Sequence, residues 1–229
     1  MQIGQRTADL TNSLEISSKL VEEGYCFLNE WDPDVETAAI SDRVGATITP
    51  WPGGLIQTLQ PRTEAAPNTY SGNFGLGSFP MHTDLAHWKS PPRYLLLRCL
   101  KGYQDVPTLL LDGRDMIASV SRNLLSRAIF KPRRPRDGKL TLVRLLDQSG
   151  DREVLRWDEI FLQPASRVGE RVDVQVRGWL STATPFRLAL FRPGDTLIVD
   201  NWRMLHARSP IPTDREDRAI QRVYLESIH

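Results

Sequence analysis

From Tyr94 to Leu225 the chain reads as one short β-like run after another, and this succession limits its possible folds more than any other feature. The runs are Tyr94 to Leu100, Thr108 to Asp112, Leu140 to Leu146, Glu153 to Trp157, Phe186 to Phe191, Thr196 to Val199 and Ala219 to Leu225, rich in branched and aromatic residues. Turn signals part them, among them Gly102, Gly113, Asp147-Gln148-Ser149-Gly150-Asp151 and Arg192-Pro193-Gly194-Asp195. Helical patterns intervene at Asp115 to Ile129 and Arg171 to Leu180. Strands joined by turns rather than by regular helices speak against a doubly wound parallel sheet. They predict a mainly β (α+β) chain, an antiparallel double sheet with helices on one side.

Ahead of that series, Leu10, Leu14, Leu20 and Val21 follow a loose helical spacing that Gly24 ends, so a helix is predicted from Leu10 to Glu23. A strand over Tyr25-Cys26-Phe27-Leu28 and a helix from Asp34 to Arg43, with Gly45 just beyond, come next. Thr47 to Pro80 is rich in Gly, Pro, Asn and Thr and carries Trp51, Tyr70, Phe74 and Phe79. So long an irregular stretch in a compact domain reads as a functional loop or lid.

At 229 residues and 40% hydrophobic content, the chain can bury one sizeable core, and a single domain over residues 1–229 is expected. The formal charge of +1, from 29 basic and 28 acidic residues, provides no global field for nucleic acid or an anionic membrane. The start MQIGQRTADL lacks the pattern of a secretory signal, and no apolar run approaches the roughly 18 residues of a membrane span. Cys26 and Cys99 sit in apolar surroundings and read as reduced, buried thiols. A cytoplasmic chain is the expectation.

The segment Pro80-Met81-His82-Thr83-Asp84-Leu85 carries the chemistry. Residues two apart on an extended strand share a face, so His82 and Asp84 can aim an imidazole and a carboxylate at one point. His206, shortly after the strand at Thr196 to Val199, is the candidate third ligand. Two imidazoles and a carboxylate on one face of a metal leave the opposite positions open, as in non-haem iron(II) sites; zinc suits the same ligand types. Arg218 and Arg222, 12 and 16 residues beyond His206, offer guanidinium groups that can grip a carboxylate near the metal.

Taken together, these pieces resemble the taurine dioxygenase-like, or clavaminate synthase-like, branch of the iron(II)/2-oxoglutarate-dependent oxygenases. The matching segments are His82-Thr83-Asp84-Leu85, Ser90-Pro91-Pro92 with the strand ending in Leu100, Thr108-Leu109-Leu110-Leu111-Asp112, Arg192-Pro193-Gly194-Asp195 through His206-Ala207-Arg208, and Arg218 to Leu225. The N-terminal piece from Leu10 to Ile48 also looks like that family, so the resemblance covers most of the chain. It implies a double-stranded β-helix (jelly roll) with flanking helices and iron at its open mouth. His82, Asp84 and His206 match the family's metal ligands; Thr108 and Arg218 match the residues that hold the far carboxylate of 2-oxoglutarate. Arg222 matches a position that touches an anionic substrate group in some members. The implied activity is oxidation of a small-molecule substrate by dioxygen, by default hydroxylation, with release of succinate and carbon dioxide. The chain departs from the pattern at Pro107, where a glycine is usual, at Ala207, where another is common, and in its short length.

Tyr70, Phe74 and Phe79 are candidate lining of the substrate pocket or packing beneath the loop. His87 reads as a surface residue or an indirect neighbour of the metal, and His229 as a frayed end. Gly72-Asn73-Phe74-Gly75-Leu76-Gly77 lacks the following helix and the lysine of a phosphate-cradling loop. The basic run from Arg127 to Lys139 reads as a solvated connector, with an electropositive lid for an acidic or carrier-bound substrate as its functional alternative. Asp158 reads as scaffold. Two other functions stay open: a metal-dependent enzyme using the same triad without 2-oxoglutarate, and a catalytically silent jelly-roll binding module.

Overall fold

The computed structural model describes residues 13–50, 52–62, 69–135 and 138–229; Leu10, Trp51 and Arg136, assigned above to the first helix, the loop and the basic run, lie outside them. A helix over residues 13–22 (α1) leads into β1 (Tyr25–Leu28), α2 (Thr37–Val44), β2 (Gly45–Ile48), β3 (Gln57–Leu59), the single turn α3 (Tyr70–Phe74) and β4 (Phe79–His82). Then come β5 (Tyr94–Lys101), β6 (Thr108–Asp112), α4 (Gly113–Val120), α5 (Arg122–Arg127), β7 (Ile129–Pro132), β8 (Val143–Arg144), β9 (Leu146–Ser149), β10 (Arg152–Leu155) and β11 (Leu162–Pro164). The chain closes with α6 (Arg167–Thr182), β12 (Phe186–Leu188), β13 (Thr196–Asp200), β14 (Met204–Arg208) and β15 (Ala219–Ile228).

Two antiparallel sheets make the frame. The larger has the order β1-β13-β5-β15-β2, with β3 also on β15, and the smaller has the order β12-β6-β14-β4. Alternation along β5 explains why its sequence is apolar on both faces. Leu95, Leu97 and Cys99 face inward with Leu197, Val199, Ile220 and Tyr224 against Leu110, Leu188 and Met204 of the smaller sheet. Tyr94 and Leu96 face outward with Ile198, Val223 and Leu225, under Ile16 and Leu20 of α1 and Ile40 and Val44 of α2. A further core gathers Met116, Leu125, Val172 and Val176 from α4, α5 and α6 around Phe130, Trp157 and Leu205.

Several boundaries differ from those predicted, each for a local reason. The helix expected from Asp115 to Ile129 breaks at Ser121, whose φ of +93° cannot continue a right-handed helix, and Ile129 already belongs to a strand. The helix expected at Arg171 starts earlier, at Arg167, because the Ser166 hydroxyl caps it by accepting from Gly169 N at 3.0 Å. The stretch from Thr47 to Pro80 is only partly irregular, since β3 joins the edge of β15 and α3 fits one turn into it. The run Leu140 to Leu146 divides into β8 and the first strand of a β9–β10 hairpin, which turns at Gly150 with φ +63°.

Candidate metal centre

Pairing within the smaller sheet creates the site. His82 ends β4 directly opposite His206 of β14, and the two imidazole rings lie 4.4 Å apart between centroids. Beyond His82 the chain leaves the ladder: Thr83 N donates to Trp157 O at 2.8 Å, and Asp84 N donates to Asn201 Oδ1 at 2.7 Å. Asn201 returns the contact by donating from Nδ2 to Asp84 O at 3.0 Å and to Pro92 O at 2.9 Å. Leu85 follows with φ +56°. This turn, rather than a continuing strand, brings the Asp84 carboxylate to the two histidines.

Asp84 Oδ1 lies 3.3 Å from His82 Nε2 and 3.5 Å from His206 Nε2. One donor atom from each residue falls within 4.8 Å of the other two, and all three residues are buried. His82 Nδ1 sits 2.8 Å from Pro80 O; a carbonyl can only accept, so Nδ1 holds the proton and Nε2 keeps its lone pair for a metal. The other oxygen, Asp84 Oδ2, accepts from Arg222 Nη1 at 3.0 Å and from Tyr224 OH at 2.7 Å. Gln57 Oε1 in turn accepts from Arg222 Nη2 at 2.6 Å and Nε at 3.1 Å, which fixes the guanidinium plane. One carboxylate oxygen is thus engaged by protein and the other is left to the centre. The donor set and its protonation fit a divalent first-row metal bound by two nitrogens and one oxygen.

Electrostatics agree with that arrangement. Burial pushes the Asp84 carboxyl up, but Arg222, His206 and His82 outweigh it and hold the group well below the usual carboxylate range. Burial works against a proton on His82, yet the bond and charge of Asp84 prevail and raise its pKa. Burial and the neighbouring His82 lower that of His206. The carboxylate therefore stays ionised, while His82 takes up a proton more readily than an ordinary imidazole and His206 less readily.

The three residues open onto a cavity of about 960 Å³. Thr108, at the start of β6, and Arg218, just before β15, are both buried and line it. Burial lowers the Arg218 pKa to about 10, and its Nε has no hydrogen-bond partner among the described residues. Arg208, one strand position from Ala207, donates from Nη2 to Gly75 O at 2.8 Å and also to Gly77 O at 2.5 Å. Its guanidinium lies 3.7 Å over the Phe79 ring, and burial together with Arg218 lowers its pKa to about 10.

Of the proposed pocket aromatics, Tyr70 and Phe79 line the cavity, whereas Phe74 packs against both rings without reaching the lining. Tyr70 stacks on His82 at 4.4 Å and meets Phe161 in a T-shaped contact at 5.3 Å. Arg222 lines the cavity while bonded to Asp84 and Gln57. His87 also lines it, beside Phe161, and His229 donates its backbone N–H to Val44 O at 3.1 Å. Asp158 is buried behind Tyr70, with Oδ1 accepting from Ile160 N and Phe161 N, both at 2.8 Å. Sequence reasoning missed Gln57, Asn201, Phe161 and Tyr224. Tyr224 alone had a visible signal, lying two residues beyond Arg222 on the same strand face.

No family model matches the sequence. Among solved structures, asparagine oxygenase in complex with Fe(II), 2S,3S-3-hydroxyasparagine and succinate superposes with a TM-score of 0.72 at 18% identity, over 94% of this chain and 79% of that one. The chain shares its fold. PvcB, an Fe, alpha-ketoglutarate dependent oxygenase from an isonitrile synthetic pathway, gives a TM-score of 0.66 at 18% identity, over 93% of this chain and 79% of that one. The non-heme iron oxygenase OrfP, in complex with Fe, succinate and (3S)-hydroxy-L-Arg, gives 0.59 at 22% identity, over 76% of this chain and 57% of that one. No helix among the described residues is long and apolar enough to cross a membrane.

Proposed function

We propose that this chain is a non-haem iron(II)- and 2-oxoglutarate-dependent dioxygenase, a single jelly-roll domain that hydroxylates a small molecule. The observation that carries the reading is the convergence of His82 Nε2, His206 Nε2 and Asp84 Oδ1 on one wall of a cavity that also holds buried Thr108 and Arg218. The complexes of asparagine oxygenase and OrfP support it, since they contain iron, succinate and a hydroxylated amino acid. The stacked antiparallel sheets, with histidines at the mouth between them, support the jelly roll. A cytoplasmic location suits two buried thiols that burial pushes up, to about 11 at Cys26 and about 12 at Cys99.

When bound, iron(II) and 2-oxoglutarate would supply the activation of dioxygen for hydroxylation, with succinate and carbon dioxide as co-products. The protein holds and orients. His82 and His206 present lone pairs, Asp84 presents Oδ1, and Arg222 with Tyr224 keeps Oδ2 turned away from the centre. Arg218 and Thr108 take the far carboxylate of the co-substrate, in surroundings dry enough to strengthen a charged hydrogen bond. Tyr70 and Phe79 keep water from the His82 side and give the substrate an aromatic wall.

The test is succinate release from 2-oxoglutarate during a screen of candidate substrates. Succinate should be released only when iron(II), 2-oxoglutarate and a substrate are present together. Arg218→Ala should raise the KM for 2-oxoglutarate by about 10–100-fold, the loss of one charge-assisted contact. Iron-dependent activity that needs no 2-oxoglutarate and survives Arg218→Ala would overturn the co-substrate assignment.

A further inference from the structure

The charges around the cavity do not balance once the oxygenase reading, on which this inference rests, has filled it. Its described lining carries Arg62, Arg133, Arg134, Arg208, Arg218 and Arg222 against a single acid, Asp84. Iron(II) and the 2-oxoglutarate dianion cancel each other, and Arg222 cancels Asp84 through their direct bond. Half-buried Arg208 and buried Arg218 then remain positive. The nearby acid Asp158 lies behind Tyr70, outside the lining, and burial raises its pKa.

Three more cations stand at the mouth. Arg62 follows β3, while Arg133 and Arg134 follow directly on β7 and are exposed. Their position is built rather than incidental: Arg133 N donates to Phe161 O at 2.8 Å, and β7 is paired to β11 just beyond that phenylalanine. Phe161 forms a T-shaped pair with Tyr70, which stacks on His82. A continuous surface therefore runs from the metal ligand along an aromatic wall to the two arginines. No ion pair engages Arg62, Arg133 or Arg134 among the described residues. The volume of about 960 Å³ accommodates a drug-sized ligand beside the co-substrate.

We propose that the substrate is a small acidic molecule with a flat or apolar body against Tyr70 and Phe161, and that Arg133 and Arg134, helped by Arg62, hold its carboxylate or phosphate at the mouth. Guanidinium suits either anion, and a cationic substrate would meet a mouth whose described lining holds Arg62, Arg133 and Arg134 and no acid. The basic stretch after β7 thereby becomes a specificity element rather than a solvated connector.

The probes are benzoate, phenyl phosphate and neutral benzamide, three molecules with the same ring. Each is titrated calorimetrically, without oxygen and at low salt, into protein loaded with iron(II) and saturating 2-oxoglutarate, so that Arg218 is already occupied. At least one anion should bind about tenfold more tightly than benzamide, the combined effect of a few solvent-facing charge contacts, and added salt should erode that preference. Whichever anion leads identifies the group as carboxylate or phosphate. The exposed double variant Arg133→Ala/Arg134→Ala, with an unchanged circular dichroism spectrum, should lose most of that preference. Equal or undetectable affinity for all three probes, or a preference that survives the double variant, overturns the proposal. A protein that takes up neither iron nor 2-oxoglutarate removes the oxygenase reading first, and this inference with it.

Discussion

At the scale of single residues, Asp84 is where the interactions meet, and its two oxygens have separate tasks. Oδ2 is fixed by Arg222 and Tyr224, so Tyr224→Phe should leave the fold intact yet weaken iron(II) binding by roughly tenfold, the low end for loss of a partner behind a metal ligand. An unchanged dissociation constant would show that the hydroxyl does not orient the carboxylate. Protons should compete with the metal as well. Iron needs His82 Nε2 unprotonated, and Asp84, against the opposing effect of burial, raises the pKa of that imidazole. Competition therefore begins at or above the ordinary histidine value of about 6.5. Iron affinity should hold on the alkaline side and fall as pH drops through the raised range of that imidazole, measured by anaerobic titration at pH 8 and pH 6. His82, Asp84 and His206 were legible in the sequence because ligand chemistry marks a histidine, an acid two residues on and a later histidine. Asn201 and Gln57 were not, since Asn201 acts across 117 positions on Asp84 and Gln57 across 165 on Arg222. Nothing local announces such a bond.

At the scale of elements, β5 shows how one strand can hold both sheet and loop. Arg98, 1% exposed, points outward from β5 and donates to the carbonyls of Trp31 at 2.7 Å, Asp32 at 2.6 Å and Val35 at 3.2 Å. It also donates to Thr196 Oγ1 at 2.9 Å. It ties the segment between β1 and α2 to the Pro-Gly-Asp turn, where Asp195 itself accepts from Phe191 N, Arg192 N and Glu30 N. Arg98→Met would leave several buried acceptors without donors, and chemical denaturation should find it less stable by about 3 kcal/mol or more. A loss below about 1 kcal/mol would show that water replaces the guanidinium there. Most strands were legible because alternation and turn residues act within a few positions. The long loop was not, since β3 exists only through its pairing with β15. Nor was the break at Ser121, since the weak helix formers Ser119, Val120 and Asn123 beside it do not by themselves dictate a positive φ.

At the scale of the whole molecule, the candidate centre belongs to both sheets at once. The histidines come from β4 and β14 of the smaller sheet, and the residues behind Asp84 come from β15 and β3 of the larger. Packing of the two sheets therefore assembles the site, and a metal that binds only the folded chain must stabilise it, by about 2.7 kcal/mol at a hundredfold excess over its dissociation constant. The formal charge of +1 conceals how unevenly charge is placed, because the described lining of the cavity holds six arginines and one acid, Asp84. Anaerobic titration of iron(II) into wild-type protein and Asp84→Ala, each followed by 2-oxoglutarate, decides whether His82, Asp84 and His206 form a metal centre. The wild type should take up one equivalent of iron and bind 2-oxoglutarate more tightly once iron is present, and the variant should lose both. A wild type that binds no iron, or an Asp84→Ala variant that binds it as tightly, would contradict a metal centre there.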